Sequence, residues 1–312
     1  MKIFIAVVWC WLVVIPTLLF SQNDSITEIV ILHVNDIHGR IDKMPYLATM
    51  VKDIESKHKN VFLLCAGDIF SGNPIVDKYS EKGFPMIDIM NMIPFSLSTL
   101  GNHEFDFGGE MLNKRLSEFK HPVIVSNISQ MPTYFTHAKP YEILTANDVQ
   151  VAVLGITQVS ENNYPDTDPE MVTDFSFVDG TKSTQTWISL LKNYPVRIVL
   201  SHMGIEKDSA FAMQYPQFNA IIGGHSHKNI QPIKIINGVA IVQAECYLKY
   251  LGMMTIKVCH QKVISIKDTL LPIKTTITPD SVVLKKLLSI TTTTNFIKLL
   301  AMHPIQLKGK MR

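Results

Sequence analysis

Residues 28–39 read EIVILHVNDIHG: an aliphatic, β-branched run that ends in Asn35, Asp36, Ile37, His38 and Gly39. The apolar run is too short for a buried helix and fits one strand, Glu28 to Val34. It leads directly into a carboxylate and an imidazole two residues apart. Four further polar clusters follow apolar runs in the same manner. They are Gly67-Asp68, Gly101-Asn102-His103-Glu104, Ser201-His202 and Gly223-Gly224-His225-Ser226-His227. Together they offer carboxylate, imidazole and amide oxygen, the donors that borderline divalent cations take.

Spacing turns these clusters into a fold prediction. Asp36 to Asp68 is 32 residues and Asp68 to Asn102 is 34, each the length of a βαβ unit. The intervening stretches have helical periodicity: Pro45–His58 places Leu47, Met50, Val51 and Ile54 on one face. Val61–Cys65, Phe95–Leu100, Val123–Ser126, Gln150–Ile156, Val196–Ser201 and Asn219–Ile222 read as strands. Asp77–Ile93, interrupted at Gly83-Phe84-Pro85, reads as helical, as do Gly109–Phe119, Asp179–Lys192 and Ile205–Gln214. Val239–Gln243 and Tyr250–Val258 read as antiparallel strands with no helix between them, and Pro279-Asp280 opens a short helix through Leu288. Each polar cluster then sits at the carboxyl end of a strand, where open α/β sheets hold their ligands.

Singly, each cluster has a plain structural explanation. Asp-x-His can be a surface pair, Gly-Asp a turn, and Asn102 the N-cap of a helix. The case for chemistry is their joint occurrence, each after an apolar strand. Asp36 and His38 can face one cavity, Asp68 is suited to bridge two cations, and Asn102, His202, His225 and His227 add neutral donors. Glycine at positions 67, 101, 223 and 224 suits a backbone that turns sharply at a crowded strand end.

In this order the motifs resemble those of the calcineurin-like metallophosphoesterases. HVNDIHG (33–39) and GNHEFD (101–106) are similar to the 5′-nucleotidase branch in particular. The resemblance spans about residues 28 to 290 and implies an α/β fold, a four-layer αββα sandwich of two mixed sheets with helices outside. It further implies two divalent metal ions, zinc, manganese or iron. One would be held by Asp36, His38, Asp68 and His227, the other by Asp68, Asn102, His202 and His225. His103 would lie over the substrate phosphate with Asn102 beside it, and Asp106 would orient His103. The implied reaction is hydrolysis of phosphate esters, with nucleotides as the expected substrates, by metal-activated hydroxide.

Composition sets outer bounds. The 312 residues are 46% hydrophobic and 18% charged with a formal charge of +2, so a large core is available and a nucleic-acid polymer is not an expected partner. Lys2 followed by the uncharged run Ile3–Phe20 reads as an export leader over residues 1–21, or an N-terminal anchor, and directs the protein to the periplasm, cell surface or medium. Beyond the leader, Cys65, Cys246 and Cys259 do not form a disulfide framework, though a Cys246–Cys259 bridge is open.

The catalytic domain is expected over residues 26–274, and 275–312 reads as an interdomain-type helix with a truncated tail. Members of the resembling branch carry a C-terminal substrate-specificity domain, and its aromatic and arginine residues are missing from this sequence. A separate chain carrying that domain is therefore a possible partner. The alternatives to a competent phosphoesterase are a split or truncated subunit of low activity, and a non-enzymatic exported metal-binding module.

Overall fold

The structure is a computed structural model that describes residues 26–293; the expected leader and the tail beyond Thr293 lie outside the described residues. In chain order the first strands are β1 (Thr27–Val34), β2 (Val61–Cys65), β3 (Phe95–Thr99), β4 (Val123–Ile124) and β5 (Ile128–Gln130). The middle of the chain adds β6 (Ala138–Lys139), β7 (Tyr141–Ala146), β8 (Val149–Ile156), β9 (Ser176–Phe177) and β10 (Val196–Ser201). The last are β11 (Ala220–Ile222), β12 (Lys234–Ile236), β13 (Val239–Val242), β14 (Tyr250–Cys259) and β15 (Lys262–Pro272). The α-helices are α1 (Met44–Glu55), α2 (Pro74–Asp77), α3 (Phe84–Met90), α4 (Gly109–Glu118), α5 (Gly180–Leu191), α6 (Ile205–Gln214) and α7 (Ser281–Thr293).

Two mixed sheets result. The first runs β15-β14-β1-β2-β3-β4-β6 and the second β12-β13-β11-β10-β8-β7, with β5 and β9 pairing separately. Alternation along β1 shows how they stack. Ile29 and Ile31 join Leu64, Leu97, Val151, Ile198, Leu200 and Ile222 in one buried layer between the sheets. Val30, Leu32 and Val34 point the other way, into a layer shared with α1, α3, α4 and α7. The outer face of the second sheet packs Leu154, Val199 and Ile221 against Leu191 of α5 and Phe211 of α6. Each fully buried Ile or Leu contributes about 1.5–3 kcal/mol. The result is the expected four-layer αββα sandwich.

Three sequence-based expectations are corrected. Of the helix expected across Asp77–Ile93, residues 78–83 are turn after α2, and α3 runs only from Phe84 to Met90. Gly83 takes φ +78° just before it, and Pro85 sits in its first turn, where a missing N–H costs nothing. Val239–Gln243 and Tyr250–Val258 are not partners. β13 runs parallel to β11, while β14 crosses to the first sheet and pairs antiparallel with β1 and β15. Finally, α7 continues past Leu288 to Thr293. Ile290 is buried against the core, and the hydroxyls of Thr291 and Thr292 donate back to the Leu288 carbonyl at 2.9 Å. Sequence reading assigned no element to Lys262–Pro272, which forms the edge strand β15. The open Cys246–Cys259 bridge is not formed; Cys65, Cys246 and Cys259 are free thiols.

Candidate metal centre

β1, β2 and β3 are adjacent in one sheet and β10 and β11 in the other, so their carboxyl ends bring the polar clusters together. The loops are stitched to each other. Asp36 N–H donates to Gly67 O at 3.0 Å and His38 N–H to Asp68 O at 2.9 Å. Asp36, His38, Asp68, His225 and His227 all have positive φ, from 48° to 69°. A non-glycine residue held there costs about 1–2 kcal/mol. Five in one site mean that the surrounding packing dictates the backbone, a pattern found at ligand clamps.

The side chains converge into three overlapping groups: Asp36 with His38 and His227; His38 with Asp68 and His103; Asp68 with His202 and His225. His227 Nε2 lies 3.1 Å from both Asp36 Oδ1 and His38 Nε2. Asp68 Oδ2 lies 3.0 Å from His202 Nε2 and 3.7 Å from His38 Nε2, between the two sets. Asn102 Oδ1 is 3.1 Å from His225 Nδ1. Asn102 holds the N-cap position of the short 3-10 turn His103–Phe105, but its side chain makes no cap hydrogen bond: its amide nitrogen donates to Asp166 O at 2.9 Å, which turns its oxygen toward His225.

The donor set fits divalent cations. His202 is fully buried, its Nδ1 lies 2.5 Å from Ala66 O, and its Nε2 has no hydrogen-bond partner. With Nδ1–H donated to the carbonyl, a neutral ring directs its Nε2 lone pair toward the Asp68 carboxylate, 3.0 Å away. Two acceptors so placed need a positive charge between them, a metal cation or a proton. His38 repeats the arrangement, with Nδ1 3.3 Å from Ser71 O and Nε2 turned inward. Without cations the cluster holds protons instead. Burial would lower His202, but Asp68 and Asp36 outweigh it and raise it to about 10. His38 and His225 are lowered, chiefly by burial, and so favour the neutral ligand form.

His103, a member of one of these groups, differs from the others in its hydrogen bonding. Its Nδ1 is 2.8 Å from Asp106 Oδ2, and that hydrogen bond, more than anything else, raises it to about 9. Asp106 is held in turn by Thr167 Oγ1 at 2.9 Å and by the Ser71 hydroxyl. His103 therefore presents a protonated ring to a cavity of about 470 Å³ that His38, Asp68, Asn102, His225 and His227 also line.

Several supporting residues escaped sequence reading. Glu104 is 1% exposed and its carboxylate accepts N–H groups from Asp68 (2.8 Å), Ile69 (2.6 Å), Gly101 (2.6 Å) and Phe70 (3.4 Å). It clamps the loop carrying Asp68 to the one carrying Asn102. Asn35 donates to Asp36 Oδ2 at 2.5 Å and accepts from Ala244 N–H at 2.8 Å. Gln243 Oε1 accepts from Ser226 Oγ and Lys228 N–H, fixing the turn between His225 and His227. Glu104 and Asn35 sit inside motifs already visible as motifs; only their burial reveals their work. Gly101 is explained by contact: a Cβ there would lie 2.1 Å from Asp68 Oδ1.

Comparison with known proteins agrees with this geometry. A family model, calcineurin-like phosphoesterase, matches residues 29–229. Protein 5NUC of Lutzomyia longipalpis is 29% identical over 289 residues, covering 76% of this chain and 49% of the relative. A 5′-nucleotidase of Diplobatis ommata is 26% identical over 297 residues, covering 82% and 50%. The chain thus spans about half the length of the curated relatives it matches. The 5′-nucleotidase precursor from Thermus thermophilus superposes with a TM-score of 0.76 at 22% identity, covering 88% of this chain and 60% of that one, and so shares the fold. A family-model match over 29–229 takes in strands β1 to β11 and the loops carrying every candidate ligand, and it assigns the chain: it belongs to the calcineurin-like phosphoesterase family.

Proposed function

We propose that this protein is a metal-dependent phosphoric ester hydrolase with two cation sites that share Asp68, acting on nucleotides. The observation that carries it is the orphaned Nε2 of buried His202 beside the Asp68 carboxylate, in a cluster whose other members present donors to the same cavity. Asp36, His38, Asp68 and His227 would hold one cation, and Asp68, Asn102, His202 and His225 the other; zinc, manganese and iron all suit these donors. When bound, two such cations supply Lewis acidity to the phosphoryl oxygens and to the attacking water.

The chain's own residues do the rest. Asp106 keeps a proton on His103 through neutral pH, so the ring offers a positive charge to the phosphoryl oxygens and can give its Nε2 proton to the leaving oxygen. Ser71 and Thr167 hold Asp106, and Asp166 O holds the Asn102 amide the right way round. Nucleotide substrates are supported by the relative named as a 5′-nucleotidase. That relative is matched over half its length, so a further domain, on the same polypeptide or a separate chain, can add to substrate selection. Export to the periplasm, cell surface or medium is supported by the uncharged run Ile3–Phe20 after Lys2; N-terminal sequencing of the secreted protein tests it.

The test is hydrolysis of p-nitrophenyl phosphate, bis-p-nitrophenyl phosphate and AMP by protein loaded with manganese or zinc, with elemental analysis alongside. Asp68→Ala is expected to lose both cations and the activity. His103→Ala should keep the cations and lower kcat by 100-fold or more, the usual worth of a positioned acid (~10²–10⁴). Wild-type protein no more active than Asp68→Ala refutes the proposal.

A further inference from the structure

Beside the metal-binding and acid groups, the cavity is bordered by one large side chain with no task so far. Tyr247 is 37% exposed, while Cys246 and Leu248 on either side of it are buried. Its own N–H donates to Asp36 O at 2.7 Å, and Lys43 Nζ donates to Leu248 O at 3.1 Å. Glu245, Tyr247 and Leu248 all have positive φ, at 62°, 57° and 49°. A segment so strained and so tied down is not a loose loop; its backbone is imposed, and it delivers an aromatic ring to the rim. That ring lies 5.2 Å from His38 and 5.6 Å from His227, centroid to centroid. Among the described residues, its hydroxyl has no hydrogen-bond partner in the protein.

We infer that Tyr247 is a specificity-determining residue of the proposed phosphoesterase site, stacking on a flat, aromatic portion of the leaving group. His103 and Tyr247 flank the His38 ring at 5.1 and 5.2 Å, on a common cavity. A phosphate placed against His103 therefore leaves its ester substituent within reach of the Tyr247 ring. Apart from Gly72, the other lining residues carry polar or ionisable side chains, so this ring is where a planar apolar group gains contact; stacking on an aromatic side chain favours such a group by roughly tenfold. An alkyl substituent of similar reach gains little, having no flat face to offer.

The inference rests on the phosphoesterase reading, and binding separates the two. Phenylphosphonate and ethylphosphonate, neither of which can be hydrolysed, are titrated calorimetrically into manganese-loaded wild type, Tyr247→Leu, Tyr247→Ala and Tyr247→Phe. Manganese content and circular dichroism are measured on the same samples. Wild type is expected to prefer the phenyl compound. The preference should fall about tenfold in Tyr247→Leu and Tyr247→Ala and persist in Tyr247→Phe, which keeps the ring. An unchanged preference in Tyr247→Leu overturns the inference, as does an equal loss for both compounds, which would make Tyr247 a support for the metal cluster. If wild type binds neither phosphonate and hydrolyses no phosphate ester, the phosphoesterase reading falls and the inference with it. If wild type hydrolyses esters while the leucine variant keeps its preference, the inference alone fails.

Discussion

Replacing Glu104 by Gln tests whether the site is held together by a buried carboxylate. The substitution conserves shape and removes one acceptor. In the wild type Oε1 accepts from Ile69 and Phe70, and Oε2 from Asp68 and Gly101. A glutamine oxygen can serve one pair; its NH₂ then faces the other two backbone donors. Each buried donor left unpaired costs about 1–3 kcal/mol, and the retained bonds lose their charge assistance, so the loss is about 4 kcal/mol in all. For a chain of 312 residues, with an unfolding entropy of about 2.1 cal/mol/K per residue, that lowers Tm by roughly 6–7 °C. The same change loosens Asp68 against Asn102, and loss of such outer support weakens metal binding by about 10–100-fold. Urea unfolding of metal-free protein gives the first number, and competition with a chelator gives the second. If Glu104→Gln unfolds within about 1 kcal/mol of wild type and gives up metal at the same chelator concentration, the clamp reasoning is wrong.

Two other predictions concern Gly101 and His121. Gly101→Ala puts a methyl group 2.1 Å from Asp68 Oδ1 and 2.6 Å from Asp68 N, so the bridging carboxylate must move; metal content should fall while secondary structure by circular dichroism stays, and normal metal content would contradict it. His121 is buried against Phe95 and Phe119 with Ser98 Oγ 2.8 Å from its Nε2, and burial lowers it to about 4. The ring is neutral in the fold while the unfolded chain takes up a proton below pH ~6.5, so acidification from pH 7 to 5 removes about 2 kcal/mol of stability. In His121→Gln the drop measured by urea unfolding of metal-free protein over that interval should shrink by about this amount, and an equal drop in both proteins would count against it.

Local regularities in the chain were enough for much of this protein. Strands whose one face meets a helix layer and whose other face meets a second sheet are apolar on both faces, so β1, β2, β10 and β11 each contain an unbroken apolar run, as at Ile29–Leu32 and Ile198–Leu200. The polar clusters stand out because they interrupt those runs at once. Edge and crossover strands were harder. β15 carries Val263, Ile264, Ile266, Leu270 and Leu271, of which only Leu270 is buried, and is interrupted by Lys267 and Asp268; nothing local says that β14 leaves β13 for the other sheet. Register between distant segments is set by packing, which no window of sequence contains. The same holds within the site. Asp36, His38, Asp68, Asn102, His202, His225 and His227 were candidates from residue type and position, and the family resemblance added the roles of His103 and Asp106. That Glu104 faces four backbone donors, that Asn102 is turned by Asp166 O, and that Tyr247 lies on the rim depend on segments up to about 200 residues apart meeting in space. Sequence determined which chemistry the chain can offer; tertiary structure decided which donors share a cavity and which side chains hold them there, because distances across a site are fixed only once both sheets have closed on their common core.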